Sequence, residues 1–267
     1  MKIADCHMHS FFSSDSEAPT EEMVKRAVEL GLPAICLTDH YDMDYSTGEF
    51  QLDTPAYAAK IRELQEKYRD KIDIRFGVEL GLQLHLKERM EEYVNAWPFD
   101  YVIGSMHVID GKDPYYEDAF PDWTAEELYR AYFRATAENI RFFHNFQTLG
   151  HLGLCGTLLA EKREKITGYR AFADEIDTIL KELIQYDIAL EINTGGYKAG
   201  LGVPNPTPDV IRRYRELGGE KITFGADAHK PEHIAFHFAD AAAIAQEAGF
   251  RYYVRFKEKK PEYLPIQ

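Results

Sequence analysis

The chain has 267 residues, of which 45% are hydrophobic and 28% charged, and this balance excludes a disordered or collagen-like protein. Its formal net charge of -14 disfavours nucleic acid as a partner, because the phosphates would be repelled, although metal cations could still bring a small phosphorylated molecule to a local site. The length suits one α/β barrel, so we expect a single domain over residues 1–267.

The cysteines and the apolar segments indicate the cellular setting. Cys6, Cys36 and Cys155 cannot all pair, and they lie within apolar runs, which favours reduced core residues over a disulfide framework. The first residues lack the apolar segment of a signal peptide, and no segment approaches 18 continuous apolar residues. We therefore expect a cytoplasmic protein with no membrane partner. The sequence leaves its oligomeric state open.

Short apolar runs alternate with longer amphipathic stretches, and this alternation predicts βαβ units. In chain order, the predicted strands are 2–6, 34–37, 72–78, 101–104, 148–150, 188–192 and 222–225, with 252–255 as a candidate eighth. Helix starts are indicated by a hydroxyl side chain before a first turn or by proline within it, at Thr20, Thr54, Thr124 and Thr207. Two long helices are predicted over 54–69 and 123–144.

Histidine and acidic residues recur where each predicted strand ends. They fall within segments 5–9, 38–40, 77–81, 104–107, 150–151, 191–193 and 225–229. In a βα barrel the carboxyl ends of the strands form the active face. The recurrence therefore predicts one site to which all of these strand ends contribute.

Two pairs have the spacing expected of joint metal ligands. His7 and His9 would leave a strand on the same face, as would Asp227 and His229, because strand side chains alternate. Imidazole and carboxylate together suit zinc, iron or manganese, whereas calcium and magnesium prefer oxygen ligands. Either pair alone is more often an ordinary structural feature, so the prediction depends on the whole set.

The order of these motifs resembles the PHP family of metal-dependent phosphoesterases over nearly the whole chain. The matching positions are His7, His9, Asp15, His40, Glu79, His107, His151, Asp227 and His229. The resemblance implies an α/β fold, namely a distorted (β/α)7 TIM-like barrel. It also implies a trinuclear metal centre, in which two or three divalent ions of zinc, iron or manganese are bound.

The resemblance also divides these positions among three metals. The first would be held by His7, His9, Glu79 and Asp227. The second would be held by Glu79, His107 and His151, so that Glu79 bridges two ions. The third would be held by Asp15, His40 and His229. The residues expected to take part directly in catalysis are Glu79, Asp227 and His229.

Within the family, the segment from Glu191 to Lys198 most resembles the histidinol-phosphate phosphatases. Those usually carry arginine where this chain has Lys198. The compact ammonium group of lysine therefore replaces a guanidinium group that can form two parallel hydrogen bonds to a phosphate. The resemblance implies hydrolysis of L-histidinol phosphate to L-histidinol and phosphate, in histidine biosynthesis, by a metal-activated hydroxide. The candidate phosphate-binding residues are Lys198, Arg163 and His233, and His233 is predicted to share a helix with His237.

Other functions and roles stay open at this point. The chain could be a PHP phosphoesterase for a nucleotide or phosphotyrosine, or a barrel whose metals serve only folding or partner binding. Asp5 and Asp39 could orient a ligand imidazole or act structurally. Hydroxyls at Ser10, Ser13 and Ser105 could bind phosphate or cap turns. If the substrate carries an amine and an imidazole, the sequence suggests a pocket of loop aromatics with Asp42, Asp44 and Glu117.

Overall fold

A curled parallel sheet carries most of the residues singled out above. The structure, a computed structural model, describes residues 3–114, 116, 119–153 and 168–266, so the predictions for Cys155, Arg163 and Glu117 lie outside it. The sheet strands are β1 (Ala34–Leu37), β2 (His40–Tyr41), β3 (Asp73–Gly81), β4 (Tyr101–Ser105), β5 (Thr148–Leu149), β6 (Ala189–Asn193) and β7 (Ile222–Gly225). Their order is β1-β3-β4-β5-β6-β7, and β2 extends the line of β1 beside β3.

The predicted first strand fills the gap between β1 and β7 without forming a regular ladder. Cys36 N donates to the Asp5 carbonyl and Cys6 N donates to the Phe224 carbonyl, both at 2.9 Å. Pairing is limited to single bridges because the Asp5 side chain, rather than a main-chain oxygen, accepts the N–H groups of His7 and Ala226. The segment still joins both edges of the sheet, so it places His7 and His9 among the other strand ends.

Helices surround the sheet in the alternation expected of βα units. They are α1 (Thr20–Glu29), α2 (Thr54–Tyr68), α3 (Lys87–Ala96), α4 (Ala125–Phe142), α5 (Ala173–Gln185), α6 (Gly195–Lys198), α7 (Pro208–Glu216) and α8 (Phe238–Glu247). Short 3-10 turns cover Leu84–Leu86, Tyr169–Phe172 and Pro231–His233. The apolar helix faces and the strands enclose the core. None of the described helices is both long and apolar enough to cross a membrane.

The helix starts show where local sequence signals succeed. Thr124 forms a complete capping box with Glu127 at the start of α4, as its hydroxyl predicts. At α2, however, the capping side chain is Asp53, which accepts from Ala56 N, and Thr54 is the first helical residue. The Thr20 hydroxyl donates to Ser10 Oγ and does not cap α1. The sequence thus predicts where these helices start better than which side chain caps them.

The candidate eighth strand exists but lies outside the barrel. β8 (Tyr252–Lys257) pairs antiparallel with β9 (Lys260–Pro265). Glu258 and Lys259 both have positive φ, which gives a tight hairpin turn and supplies β8 with an antiparallel neighbour. The hairpin covers the amino ends of the barrel strands, where Tyr253 accepts from Ala4 N at 3.1 Å. The opposite, carboxyl end stays open.

Candidate metal centre

The first set of predicted ligands converges closely and is called the first group (His7, His9, Glu79 and Asp227). The Nε2 atoms of His7 and His9 are 3.1 Å apart, and Glu79 Oε2 lies 3.1 and 3.3 Å from them. Asp227 Oδ1 lies 3.3 Å from His9 Nε2. Ligand atoms about 2.1 Å from a tetrahedral zinc are about 3.4 Å from one another. The spacing therefore fits one shared cation.

The second group (Glu79, His107 and His151) uses the other oxygen of Glu79. Glu79 Oε1 lies 2.7 Å from His151 Nε2 and 3.3 Å from His107 Nε2. The Glu79 side chain is fully buried between the two groups. A carboxylate whose two oxygens face different donor sets has the arrangement that bridging two ions requires.

The third group (Asp15, His40 and His229) lies nearest to solvent. Asp15 Oδ2 is 3.0 Å from His229 Nε2 and 3.6 Å from His40 Nε2. His40 also faces inward, because its Nδ1 is 3.1 Å from Glu79 Oε2. The structure thus brings together all nine side chains that the resemblance assigns to metal binding.

Hydrogen bonds behind the ligands fix the proton on the outer nitrogen of three imidazoles. His7 Nδ1 faces Glu191 Oε1 at 2.7 Å, and His107 Nδ1 faces Asp42 Oδ2 at 2.6 Å. Carboxylate oxygens only accept, so each Nδ1 carries hydrogen. In the neutral imidazoles, each Nε2 therefore turns a lone pair toward Glu79.

The same conclusion holds for His9. Ser13 Oγ donates its one hydrogen to Asp39 at 2.8 Å and accepts from His40 N at 2.9 Å. His9 Nδ1, 3.1 Å from this oxygen, must then be the donor. Its Nε2 is left as an acceptor within the first group.

This donor set fits a divalent transition metal. Buried Nε2 lone pairs and carboxylate oxygens only 3.1–3.3 Å apart repel one another unless a cation lies among them. In addition, His151 Nδ1 is buried without a hydrogen-bond partner among the described residues, and His40 Nδ1 makes no hydrogen bond although it lies 3.1 Å from Glu79 Oε2. Mixed imidazole and carboxylate ligands suit zinc, iron or manganese.

An open pocket of about 410 Å³ lies over the three groups. The pocket is lined by candidate ligands, which we call its floor (Asp15, His40, His107, His151, Asp227 and His229), and by other residues, which we call its outer wall and which include Tyr45, Glu49, Phe50, Asp113 and Tyr116. The Phe50 ring contacts His40 and Tyr45 edge-on at 5.0 and 4.9 Å. Tyr45 donates its hydroxyl hydrogen to Asp113. The wall is therefore aromatic and acidic, with the candidate metal ligands beneath it.

Comparison with known proteins places this site in a family. The model described as "PHP domain" matches residues 5–195. The chain belongs to the PHP domain family. It is 32% identical over 270 residues to histidinol-phosphatase of Lactococcus lactis, covering 97% of this chain and 96% of the relative. It is 30% identical over 250 residues to a protein named probable histidinol-phosphatase of Clostridium acetobutylicum, covering 93% and 95%.

A solved structure supports the same assignment. The crystal structure of histidinol phosphate phosphatase from Lactococcus lactis, complexed with zinc, L-histidinol and phosphate, matches with a TM-score of 0.89 at 30% identity. The match covers 98% of this chain and 99% of that chain. The predicted family and the distorted TIM-like PHP fold are therefore confirmed.

Charges in the PHP site perturb one another strongly in the metal-free chain. Burial alone would lower the pKa of His7, but Glu191, Glu79 and Asp227 raise it well above its usual range. Burial alone would likewise lower the pKa of His107, but Asp42 and Glu79 raise it well above its usual range. Burial favours a neutral Glu79, yet the surrounding histidines hold its pKa well below the usual value. Without metal, the raised pKa values of His7 and His107 favour protonated imidazoles at these two positions.

Metal affinity is accordingly expected to fall as the pH is lowered. A cation must displace the protons of His7 and His107, so below their raised pKa values the affinity should drop by up to about tenfold per displaced proton for each pH unit. Competition with a chelator of known protonation, repeated at several pH values, measures the slope. An affinity that does not change with pH would contradict the proton assignment.

The predicted phosphate-binding residues have different surroundings. Lys198 ends α6 and donates from Nζ to the Asp227 carbonyl, next to the first group. His233 lies in a 3-10 turn, and His237 precedes α8 with a left-handed backbone. The predicted shared helix is wrong, because the chain turns at Ala235 and His237, both with positive φ. The roles of Lys198, His233 and Arg163 in binding phosphate stay predictions.

Several candidate side chains prove to be engaged elsewhere. The carboxylate of Asp39 accepts from the N–H and hydroxyl groups of both Ser10 and Ser13, so these serines stabilise a turn. Asp5 accepts three main-chain N–H groups. Asp44 is exposed and pairs with Arg89. Neither Asp5 nor Asp39 contacts an imidazole directly, although Asp39 acts on His9 through Ser13.

Sequence analysis missed three residues of the site. Glu191 lies in the segment compared with the histidinol-phosphate phosphatases but has no predicted role there, although an acidic residue inside a mostly apolar strand is itself a signal of function. Glu49 and Asp113 in the pocket wall carry no such signal, because they lie in loops far apart in sequence. Their meeting depends on tertiary structure.

Proposed function

We propose that this chain is a metal-dependent phosphomonoesterase that hydrolyses L-histidinol phosphate to L-histidinol and phosphate. The observation that carries the proposal is the convergence of nine side chains into three groups around Glu79, beneath one open pocket. The full-length similarity to histidinol-phosphatases supports the substrate. Residues 1–267 are proposed to act as one domain.

The three groups are proposed to hold two or three zinc, iron or manganese ions. Such ions supply a hydroxide near neutral pH and neutralise phosphate oxygens during in-line displacement. The Lactococcus lactis relative was crystallised with zinc. In this chain, Glu79 would hold the first and second groups at a fixed separation, and the imidazoles behind it are already oriented by Glu191, Ser13 and Asp42.

Asp227 and His229 link the ligands to the pocket. Their side chains are 18% and 26% exposed, so they reach the floor on which a phosphoryl group would lie. Burial favours a neutral Asp227, but the nearby charges of His7 and Lys198 hold its pKa well below the usual value. We propose that Lys198 balances the charge there and keeps the Asp227 main chain in place.

The outer wall suits the leaving group. L-histidinol carries an amine and an imidazole ring, and the wall offers two carboxylates, Glu49 and Asp113, beside the rings of Tyr45 and Phe50. Carboxylates favour a cationic amine, and aromatic rings favour stacking with imidazole. A wall of this kind disfavours a nucleoside di- or triphosphate, whose further phosphates would face Glu49 and Asp113.

The double variant Glu49→Gln/Asp113→Asn is expected to raise KM for L-histidinol phosphate about tenfold, equal to about 1.4 kcal/mol, and to leave kcat within about threefold. The reason is that the wall contacts the amine but not the reacting phosphorus. Steady-state kinetics with L-histidinol phosphate and with glycerol phosphate measures the effect, because glycerol phosphate lacks the amine. An equal rise in KM for both substrates would count against the assignment of the wall.

The function is tested by phosphate release from a substrate panel. Protein with quantified bound metal is assayed with L-histidinol phosphate, a nucleoside monophosphate and phosphotyrosine. Selective turnover of L-histidinol phosphate is expected. Efficient hydrolysis of another monoester, with no hydrolysis of L-histidinol phosphate, would support phosphoesterase activity but contradict the proposed substrate. Metal binding without any turnover would favour a structural metal site.

A further inference from the structure

Glu191 is a fully buried carboxylate that contacts two of the three groups from behind. Its Oε1 accepts from His7 Nδ1 at 2.7 Å, in the first group. Its Oε2 accepts from the main-chain N–H of His151 at 2.7 Å, in the second group, and from Asn193 Nδ2 at 3.1 Å. Both oxygens are therefore used by donors, and the residue lies one hydrogen bond away from the ligand atoms.

The proton pattern around Glu191 allows only a carboxylate. The main-chain N–H of His151 is a fixed donor, and Asn193 is held as a donor because its Oδ1 accepts from Gly195 N at 2.8 Å. The remaining oxygen faces His7 Nδ1. An amide there would place N–H against His7, so His7 would have to accept at Nδ1 and carry hydrogen on Nε2. A protonated Nε2 cannot bind a metal.

Glu191 also holds the backbone of His151. The φ angle of His151 is 22°, in the positive region that non-glycine residues rarely adopt. Because His151 Nδ1 has no hydrogen-bond partner among the described residues, the bond from its N–H to Glu191 fixes the ring only through the main chain. That backbone places His151 Nε2 at 2.7 Å from Glu79 Oε1.

Gly225 shows that the fold leaves room for this contact. A Cβ atom at position 225 would lie 2.1 Å from Glu191 Oε1 and 2.5 Å from His7 Cβ. Any side chain at this end of β7 would push apart the carboxylate and the imidazole. The close pairing of Glu191 with His7 thus depends on glycine in the neighbouring strand.

We propose that Glu191 is a positioning residue that selects the metal-binding tautomer of His7 and fixes the main chain of His151, and so couples the first and second groups. The inference rests on the proposed metal-dependent function. It predicts that Glu191 sets metal affinity without binding metal itself. Partners of this kind, which orient ligand imidazoles, typically change metal affinity by about 10- to 100-fold.

The test compares Glu191→Gln with Asp5→Asn. Asp5 is a matched control because it is also fully buried, with one oxygen accepting from His7 N and Ala226 N and the other accepting from Ala235 N. In Asp5→Asn, the oxygen that accepts from His7 N and Ala226 N can be kept, and the new N–H group then points at the N–H group of Ala235. The variant thus places two donors against each other, as Glu191→Gln does, but the new N–H group faces no imidazole. Co²⁺ is titrated into metal-free proteins against a competing chelator, without substrate, and the visible absorption of bound Co²⁺ is recorded. Melting temperatures of the metal-free variants are measured in parallel.

Glu191→Gln is expected to bind Co²⁺ about 10- to 100-fold more weakly than the parent chain and to change its visible spectrum. Asp5→Asn should bind Co²⁺ with an affinity within about threefold of that of the parent chain, even if its melting temperature falls as much as that of Glu191→Gln. Equal affinity losses in the two variants would overturn the proposal, as would unchanged affinity in Glu191→Gln. Metal binding without phosphate release would contradict only the proposed function.

Glu191→Asp provides a second variant and covers the case in which Glu191→Gln does not fold. It keeps the charge and both acceptor oxygens but is shorter by one methylene. We expect it to bind Co²⁺ more weakly than the parent chain and, where both variants fold, more tightly than Glu191→Gln. Parent-like affinity in Glu191→Asp when Glu191→Gln is unfolded, or weaker binding than Glu191→Gln when both fold, would overturn the role of the carboxylate.

Discussion

Glu79→Gln is expected to lower turnover by about 10³-fold or more and to remove about one bound metal ion per chain. Each oxygen of Glu79 faces a different group, at 2.7 Å from His151 Nε2 and 3.1 Å from His7 Nε2. An amide keeps the shape but offers a single acceptor atom, so at least one group loses its shared ligand. Both metal binding and the fixed spacing between the groups therefore suffer.

The measurement pairs metal analysis of the purified variant with phosphate release at saturating substrate. Asp5→Asn serves again as the control, because it is an isosteric change of another fully buried carboxylate outside the three groups. A Glu79→Gln protein that keeps its full metal content and near-parental turnover would show that Glu79 does not bridge. If Glu79→Gln loses turnover but keeps its full metal content, Glu79 would have a catalytic role other than metal binding.

Asp39→Ala is expected to lower the free energy of unfolding by about 4 kcal/mol, since several buried donors lose a charged acceptor. Asp39 Oδ1 accepts from Ser10 N, Ser13 N and Ser13 Oγ at 2.6, 3.1 and 2.8 Å, and Oδ2 accepts from Ser10 Oγ. The turn that it holds leads to Asp15. The third group should therefore weaken together with the fold.

Denaturant unfolding of metal-free protein measures the loss, and Asp39→Asn is the matched control. Asparagine keeps the oxygen that accepts three of the four bonds, and its amide can donate to the Ser10 hydroxyl. We expect it to cost about 1–2 kcal/mol. Similar losses in both variants would mean that charge, rather than this hydrogen-bond set, is what stabilises the turn.

Most candidate ligands lie at or near the carboxyl ends of strands, where the sequence predicts a site, and the resemblance to the PHP family assigns them to metals. His7 with His9 and Asp227 with His229 do meet, but not by strand alternation, because the first pair lies in a segment with only single bridges and Asp227 has positive φ. Parallel strands bring their carboxyl ends to one edge, which is why Glu79 and His151 meet although they are 72 residues apart. The topological rule thus predicts where the site lies, and the family resemblance supplies the grouping of its ligands.

The remaining features depend on contacts that no local pattern specifies. Residues 252–255 read correctly as a strand, but the turn at Glu258 and Lys259 decides that the partner is β9 rather than the barrel. His233 and His237 have helical spacing, yet positive φ angles break the helix. The Glu49 and Asp113 wall joins two loops. In each case backbone conformation or loop packing, absent from residue spacing, determines the outcome.

The depth of the pocket has a consequence for the sequence of events in turnover. Most of the candidate ligands are buried, whereas Glu49 is exposed and Asp113 is partly exposed, so these two wall carboxylates lie nearer to solvent. A substrate whose phosphoryl group rests on the floor occupies the mouth with its alcohol portion. Cleavage then leaves the alcohol on the exit path and inorganic phosphate underneath, so the alcohol departs first and phosphate last. Because phosphate would then bind the same free form as the substrate, we expect phosphate to be a competitive product inhibitor and the alcohol to be a non-competitive one.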